Sequence, residues 1–483
     1  MEDKQKINCT VESCVYNNLN NHKMSTSSAV TGSCNWVVVK LPNGSTIRFV
    51  GDCGLFLEKE CENYNENFPF DPRKVDFALL THIHNDHCGR LPLLVRKGFE
   101  GNIYASNETC IFAPLALNDS LKVLKDTAKR KHAKELYAER DVQNTIGQCF
   151  AIEYNTTICV NEHIKVTGFK NGHLVGAMMF LVQICYPGCD NINLFFTGDY
   201  NSKNLFFEVP DLPQWVLELP VTVIQESTYG KMDSSEMIPV FGANVAQSTK
   251  NGETVIIPVF SLGRSQEILY FLKRMQENNE LEREVPIFFD GKLAQNYSSL
   301  YKKKELGLRA EMLDFLPENL IMVNKENRER IIKEPSQKIV ITTSGMGTHG
   351  PAPMYIQEYV SRDNALIHFT GYTAEGTLGR ILQETPTGKM VLVNSLARRK
   401  QARVVSTKEF SAHAKADEMC DFLKKFKKLQ MVLVTHGEPK TKESFADRIL
   451  AEVRPKSVGI LNREYLYRID EFGFRKTMST KFE

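Results

Sequence analysis

The sequence predicts an α/β chain of more than one domain, and three observations predict it. β-rich runs bracket Asn43-Gly44 near the start, strand and helix patterns alternate after Glu226, and several strand ends carry histidine or aspartate. A length of 483 residues allows roughly two to four domains. The 42% apolar and 24% charged content is ordinary for globular chains, which excludes disordered, collagen-like and fibrous classes. Lys plus Arg number 60 against 58 Asp plus Glu, so any nucleic-acid site must be local rather than a global basic field.

Taken in order, the first thirty residues are polar and weakly patterned. Residues 35–40 and 46–50 read as strands joined at Pro42-Asn43-Gly44, a strong hairpin cue. The apolar run 75–80 suits a buried strand and is followed almost at once by His82. Residues 113–141 read as helix with a charged, solvated face. Strand patterns recur at 164–169, 178–185, 192–196 and 221–225. Then the texture changes. Residues 254–260, 261–264 and 265–274 read as strand, loop and helix, and further strands at 285–289, 338–343 and 364–370 suggest a parallel sheet. Strands at 390–394 and 403–407, a helix at 416–428 and a strand at 431–435 close the pattern. The expected division is 1–229, with 1–29 a candidate flexible segment, then 230–383, then 384–483.

The longest apolar run, 177–185, is far short of the roughly 20 residues that span a bilayer. The first residues lead into no apolar segment, so the expectation is a soluble, cytoplasmic protein with no membrane contact. The 12 cysteines show no repeated spacing; Cys185 and Cys189 could staple a hairpin, and most read as core residues or free thiols. The cluster Lys424-Lys425-Phe426-Lys427-Lys428 reads as a solvated helix face.

The most informative segment is Thr81-His82-Ile83-His84-Asn85-Asp86-His87-Cys88-Gly89. Burying three imidazoles and a carboxylate without partners is costly, and a metal ion removes the cost. Neutral imidazole and carboxylate oxygen both bind Zn²⁺ well. In an extended His-x-His two rings can aim at one ion, while Asp86 and His87, past the bend, can serve a second. Two ions need more ligands, and candidates stand at other strand ends: His173, Asp199, His436, Asp52 and, in Phe410-Ser411-Ala412-His413, His413. A lone histidine after a strand is more often structural. The set is the signal.

This set resembles the metallo-β-lactamase superfamily, whose members carry H-x-H-x-D-H, a distant His and then an Asp, and within it the β-CASP nucleases. The resemblance extends to Gln225-Glu226-Ser227-Thr228-Tyr229-Gly230, to Ser411-Ala412-His413 and to Thr435-His436-Gly437-Glu438. It also covers Pro258–Glu267 and Gly371–Arg380, which look like the opening and closing parts of the inserted domain; the loop Met346-Gly347-Thr348-His349-Gly350 departs from the usual pattern. The implied fold is an αββα metallo-β-lactamase sandwich with an inserted α/β β-CASP domain. The implied cofactors are two Zn²⁺ per chain. Carried over by motif, His82, His84 and His173 hold one zinc, Asp86, His87 and His436 the other, Asp199 bridges them, and Asp52 sits behind to orient ligands. Asp86 and Asp199 then count as catalytic, with His413 as proton donor held by Glu226.

The implied activity is zinc-dependent phosphodiester hydrolysis, and His436 favours the RNA-acting branch. Single-stranded RNA is the expected substrate, with single-stranded DNA and a homodimer as further partner options. Ser261, Arg264 and Ser344, in loops that follow strand patterns, are candidate phosphate contacts, because free N–H groups there favour anions. The alternatives are an esterase or phosphodiesterase acting on a small or non-RNA substrate, and a scaffold without activity. The inserted portion argues against the first, and the full ligand set against the second.

Overall fold

Asn43 and Gly44 form the turn their sequence asks for. Gly44 takes φ +84°, and the Asn43 Oδ1 accepts from Ser45 N and Oγ at 2.9 and 2.7 Å. The turn joins Asn35–Lys40 to Thr46–Gly51 in antiparallel register, with Trp36 opposite Val50 and Val38 opposite Arg48. A computed structural model describes residues 8–13, 30–462, 465–470 and 473–478. They divide into two compact units, one of residues up to Asn204, Val209–Ser234 and Ala412 onward, the other of Leu205–Glu208 and Ser235–Ser411.

The first unit is built on two mixed sheets. Among the described residues one runs Gly473–Met478, Tyr465–Asp470, Asn8–Ser13, Asn35–Lys40, Thr46–Gly51, Phe77–Leu79, Asn102–Ser106 and Cys149–Ile152. The other runs Ser457–Ile460, Lys428–Val434, Pro220–Gln225, Ile192–Phe196, Met178–Ile184, Ile164–Lys170 and Thr157–Cys159. Val37, Val39, Phe49 and Leu79 of the first sheet pack with Phe180, Val182, Leu194 and Leu433 of the second. The second sheet's other face, including Leu181, Phe195 and Val432, packs against Met419 and Leu423 of helix Ala416–Lys424 and Phe445 and Ile449 of helix Pro439–Glu452. Helices Asn107–Lys131 and Glu139–Gln148 pack together, and the first touches strands Asn102–Ser106 and Cys149–Ile152. The layers are α, β, β, α. Because Phe180 is fully buried between the sheets, Phe180→Ala should cost about 3–5 kcal/mol. A clear fall of the urea midpoint is the expected reading; an unmoved midpoint would remove Phe180 from the core.

The second unit holds a parallel sheet in the order Leu320–Val323, Ile287–Asp290, Ile339–Thr342, Thr254–Pro258, Ala365–Phe369 and Arg403–Ser406. Its central strands Thr254–Pro258, Ile339–Thr342 and Ala365–Phe369 are buried, largely apolar runs, as a sheet covered on both faces requires. Asp290, fully buried, accepts both Arg328 Nε and Nη2, at 2.6 and 2.8 Å, and Tyr355 Oη at 2.9 Å.

Three elements differ from the sequence reading. The single helix read at 113–141 is two, because His132 adopts a left-handed φ of +50° and ends the first at Lys131. The second unit runs to Ser411, where the sequence pattern suggested a return at 384. Arg403–Ser406 pairs with Ala365–Phe369, and Val391, Val393 and Ala402 join that unit's core. Within the segment 1–29, Asn8–Ser13 is a strand paired with Asn35–Lys40; residues 1–7 and 14–29 lie outside the described residues. Cys185 and Cys189 are not joined by a disulfide. Among the described residues no helix is long and apolar enough to cross a membrane.

Candidate metal centre

With the exception of His413, the polar residues singled out in the first unit follow the ends of buried strands. His82, His84, Asp86 and His87 follow Phe77–Leu79, the last two inside the short helix Asn85–Cys88. His173 follows Ile164–Lys170, Asp199 follows Ile192–Phe196, Glu226 follows Pro220–Gln225 and His436 follows Lys428–Val434. The parallel pairing of the last three strands brings their carboxyl ends to one edge of the sheet.

Two donor sets converge there. His84 Nδ1 lies 3.2 Å from His82 Nε2 and 3.2 Å from His173 Nε2. His87 Nε2 lies 3.3 Å from His436 Nε2, and Asp86 Oδ2 stands 3.9 and 3.8 Å from those two atoms. Asp199 Oδ2 is 3.1 Å from His87 Nε2, 3.2 Å from His436 Nε2 and 3.8 Å from His82 Nε2, so it touches both sets. Ligand atoms about 2.0–2.1 Å from a tetrahedral ion stand about 3.3–3.4 Å apart, which is the spacing of the facing nitrogens. Asp199 Oδ1 also stands 3.1 Å from His436 Nε2. The residues fit metal ions.

For the first donor set the electrostatics agree with a ligand role, whereas at His87 the pull of burial is overridden by Asp199, Asp52 and Asp86, which raise it well above the ordinary imidazole range. Burial first, then the neighbouring rings, holds His82 well below the usual imidazole range, and burial lowers His84 and His173 as well, so these rings stay neutral donors. For Asp199 burial works toward the neutral acid, but His436 and His87 override it and keep the carboxyl well below its ordinary range. Behind the ligands, Asp52 Oδ2 accepts from His87 Nδ1 at 2.8 Å and from Thr81 Oγ1 at 2.9 Å, while its Oδ1 accepts from Thr81 N at 2.8 Å. His173 Nδ1 lies 3.1 Å from the carbonyl oxygen of Ala412. These contacts fix which ring nitrogen faces inward.

Beside this centre, His413 Nδ1 lies 3.0 and 3.1 Å from the two oxygens of Glu226, which is fully buried and also accepts from Tyr200 N at 2.9 Å. Burial works against the charged His413 ring, but the Glu226 carboxylate, by charge and hydrogen bond, raises it above the ordinary range.

In the second unit, Ser261 precedes the helix Arg264–Glu277, and its carbonyl oxygen accepts from Ser265 Oγ at 2.8 Å. Arg264, at the start of that helix, is 9% exposed, with its guanidinium 2.7 Å from Glu267 and over the Phe410 ring. Ser344 follows Ile339–Thr342, and its Oγ accepts from His349 N at 3.3 Å. His368, inside Ala365–Phe369, is fully buried and pushed down to about 4 by burial, a structural residue.

Sequence reasoning passed over Thr81 and Asn171. Asn171 Oδ1 accepts from His173 N at 2.9 Å and its Nδ2 donates to the Asp199 carbonyl at 3.1 Å, so one amide aligns two ligand loops. The available signal was an Asn two residues before a candidate ligand, the pattern of an Asx turn.

An αββα sandwich with two convergent His/Asp sets at its strand ends defines a metal-dependent hydrolase. Residues 29–148 match the metallo-β-lactamase superfamily, 265–382 the Beta-Casp domain, and 398–458 the Zn-dependent metallo-hydrolase RNA specificity domain. The chain is 30% identical to a ribonuclease of Thermus thermophilus over 81% of this chain and 88% of the relative. It is 29% identical to the transcription termination factor FttA of Methanococcus maripaludis over 81% of this chain and 63% of that protein. It is 28% identical to the endoribonuclease ysh1 of Schizosaccharomyces pombe over 76% of this chain and 48% of that protein. The chain belongs to the β-CASP family of metallo-β-lactamase nucleases. It spans about half to two thirds of the latter two relatives.

Proposed function

We propose that this chain is a two-zinc ribonuclease that hydrolyses phosphodiester bonds in single-stranded RNA. The observation that carries the reading is Asp199, whose carboxylate touches both convergent donor sets beside the Glu226–His413 pair. His82, His84 and His173 would hold one zinc, and Asp86, His87 and His436 the other, with Asp199 shared. When bound, the zincs supply Lewis acidity and a nucleophile at neutral pH. Asp52 holds the His87 ring so that Nε2 faces inward. Glu226 holds His413 through Nδ1, and His413 gives a proton from Nε2 to the leaving oxygen. The second unit, carrying the Beta-Casp match, is the substrate-binding insertion, and the amide-rich loops at Ser261 and Ser344 are assigned to backbone phosphates.

Purified protein should cut end-labelled and internally labelled single-stranded RNA, with single-stranded DNA as the comparison. Binding of an uncleavable RNA oligonucleotide should weaken linearly in log Kd against log salt, through counterion release. Intact RNA and DNA beside rapid turnover of a small ester would overturn the ribonuclease reading.

A further inference from the structure

The strand Pro220–Gln225 and the strand Lys428–Val434 are parallel neighbours, and each opens into a functional loop: Glu226 on one, His436 on the other. Between these loops stands Ser227, fully buried. Its hydroxyl lies 2.9 Å from the carbonyl oxygen of Thr435 and 3.1 Å from that of His436, and its backbone N–H donates to the His436 carbonyl at 2.9 Å. His436 has a φ of +44°, in the left-handed region that few side chains other than Asn, Asp and His enter. The next residue is tied in too. A Cβ on Gly437 would fall 2.5 Å from the Ser227 hydroxyl, so that position has room for glycine alone while Ser227 keeps this conformer.

We infer that Ser227 is a positioning residue for His436, and that its one hydroxyl links the loop bearing a metal ligand to the loop bearing the carboxylate that holds His413. The inference rests on the proposed ligand role of His436. A hydroxyl donor offered to two successive carbonyls holds the left-handed turn and so fixes the direction in which the ring leaves the backbone. Without it both buried carbonyls lose a partner, and the turn is free to relax to a more common backbone conformation. Partners of metal ligands typically change metal affinity by about 10–100-fold when removed.

The test compares Ser227→Ala, His436→Ala and the unaltered protein by competition with a chromophoric chelator for Zn²⁺, and by ¹¹³Cd resonance after cadmium substitution. His436→Ala should lose one of two bound ions; if it keeps both, the ligand reading fails and the Ser227 inference with it. Given that loss, Ser227→Ala should weaken one ion by about 10–100-fold, leave the other within threefold, and move one of two cadmium resonances. Ser227→Ala with both affinities unchanged would overturn the inference alone, as would equal weakening of both ions, which marks a general loss of structure. Should Ser227→Ala fail to fold, Ser227→Cys keeps a weak donor at similar size and should fall between the two; affinities equal to those of the unaltered protein would again overturn it.

Discussion

Replacing His87 with alanine should remove close to one of two zinc equivalents and nearly all hydrolysis. His87 is fully buried, and its ring is held from both ends: Nδ1 by Asp52 at 2.8 Å, and Nε2 within 3.3 Å of both His436 and Asp199. The loss leaves the Asp52 carboxylate without its imidazole, and leaves Asp199 sharing its charge with one ring fewer. Metal analysis after chelator-free purification gives the stoichiometry, and cleavage of a labelled RNA gives the activity. Unaltered protein with almost no metal and full activity would sink the whole assignment. Loss of both ions in His87→Ala would show instead that the two sets fill as one unit.

His413→Ala should slow RNA cleavage by roughly 10²–10⁴-fold while zinc content stays near two. Cleavage of a phosphodiester leaves an alkoxide, which needs a proton, and an imidazole beside a carboxylate is suited to supply it. Glu226 is placed for that task. Both its oxygens lie near His413 Nδ1, and its own position is set by Tyr200 N and Thr228 N. Glu226→Gln should therefore give a smaller loss of the same kind, because the ring stays while its charge partner is gone. The deciding comparison uses an activated phosphodiester whose leaving group needs no proton, on which His413→Ala should be nearly normal. The competing role is visible in the geometry, since His413 also falls within ligand range of His173 and Asp199. Equal slowing on both substrates, or the loss of a zinc, would make His413 a ligand rather than the donor.

The sandwich and the grouping of the candidate ligands were largely legible in the sequence because both depend on short-range signals. Apolar runs mark the buried strands, and a polar cluster directly after one can sit only at a sheet's edge. His82 to His87 is such a cluster, and its partners at His173, Asp199 and His436 follow strands of the same kind. What remained hidden depends on pairing at long range. The strand Asn8–Ser13 lies in a polar segment and owes its state to neighbours at both ends of the chain, Asn35–Lys40 and Tyr465–Asp470. The inner contacts were hidden for another reason. Thr81 and Ser227 are ordinary turn residues by type, and nothing in a local pattern distinguishes a hydroxyl that bonds a neighbouring loop from one that meets water.

His436 and Asp199, within 3.2 Å of each other, are 237 positions apart in the chain. During synthesis at about 5–20 residues per second, roughly 12–47 s separate their emergence. The three-histidine set is complete by residue 173, whereas the second set waits for the return strand that carries His436. A nascent chain can thus hold half a centre but not both halves. On the proposed ligand assignment, a nuclease built in this order has no complete site until the strand that carries His436 has been made.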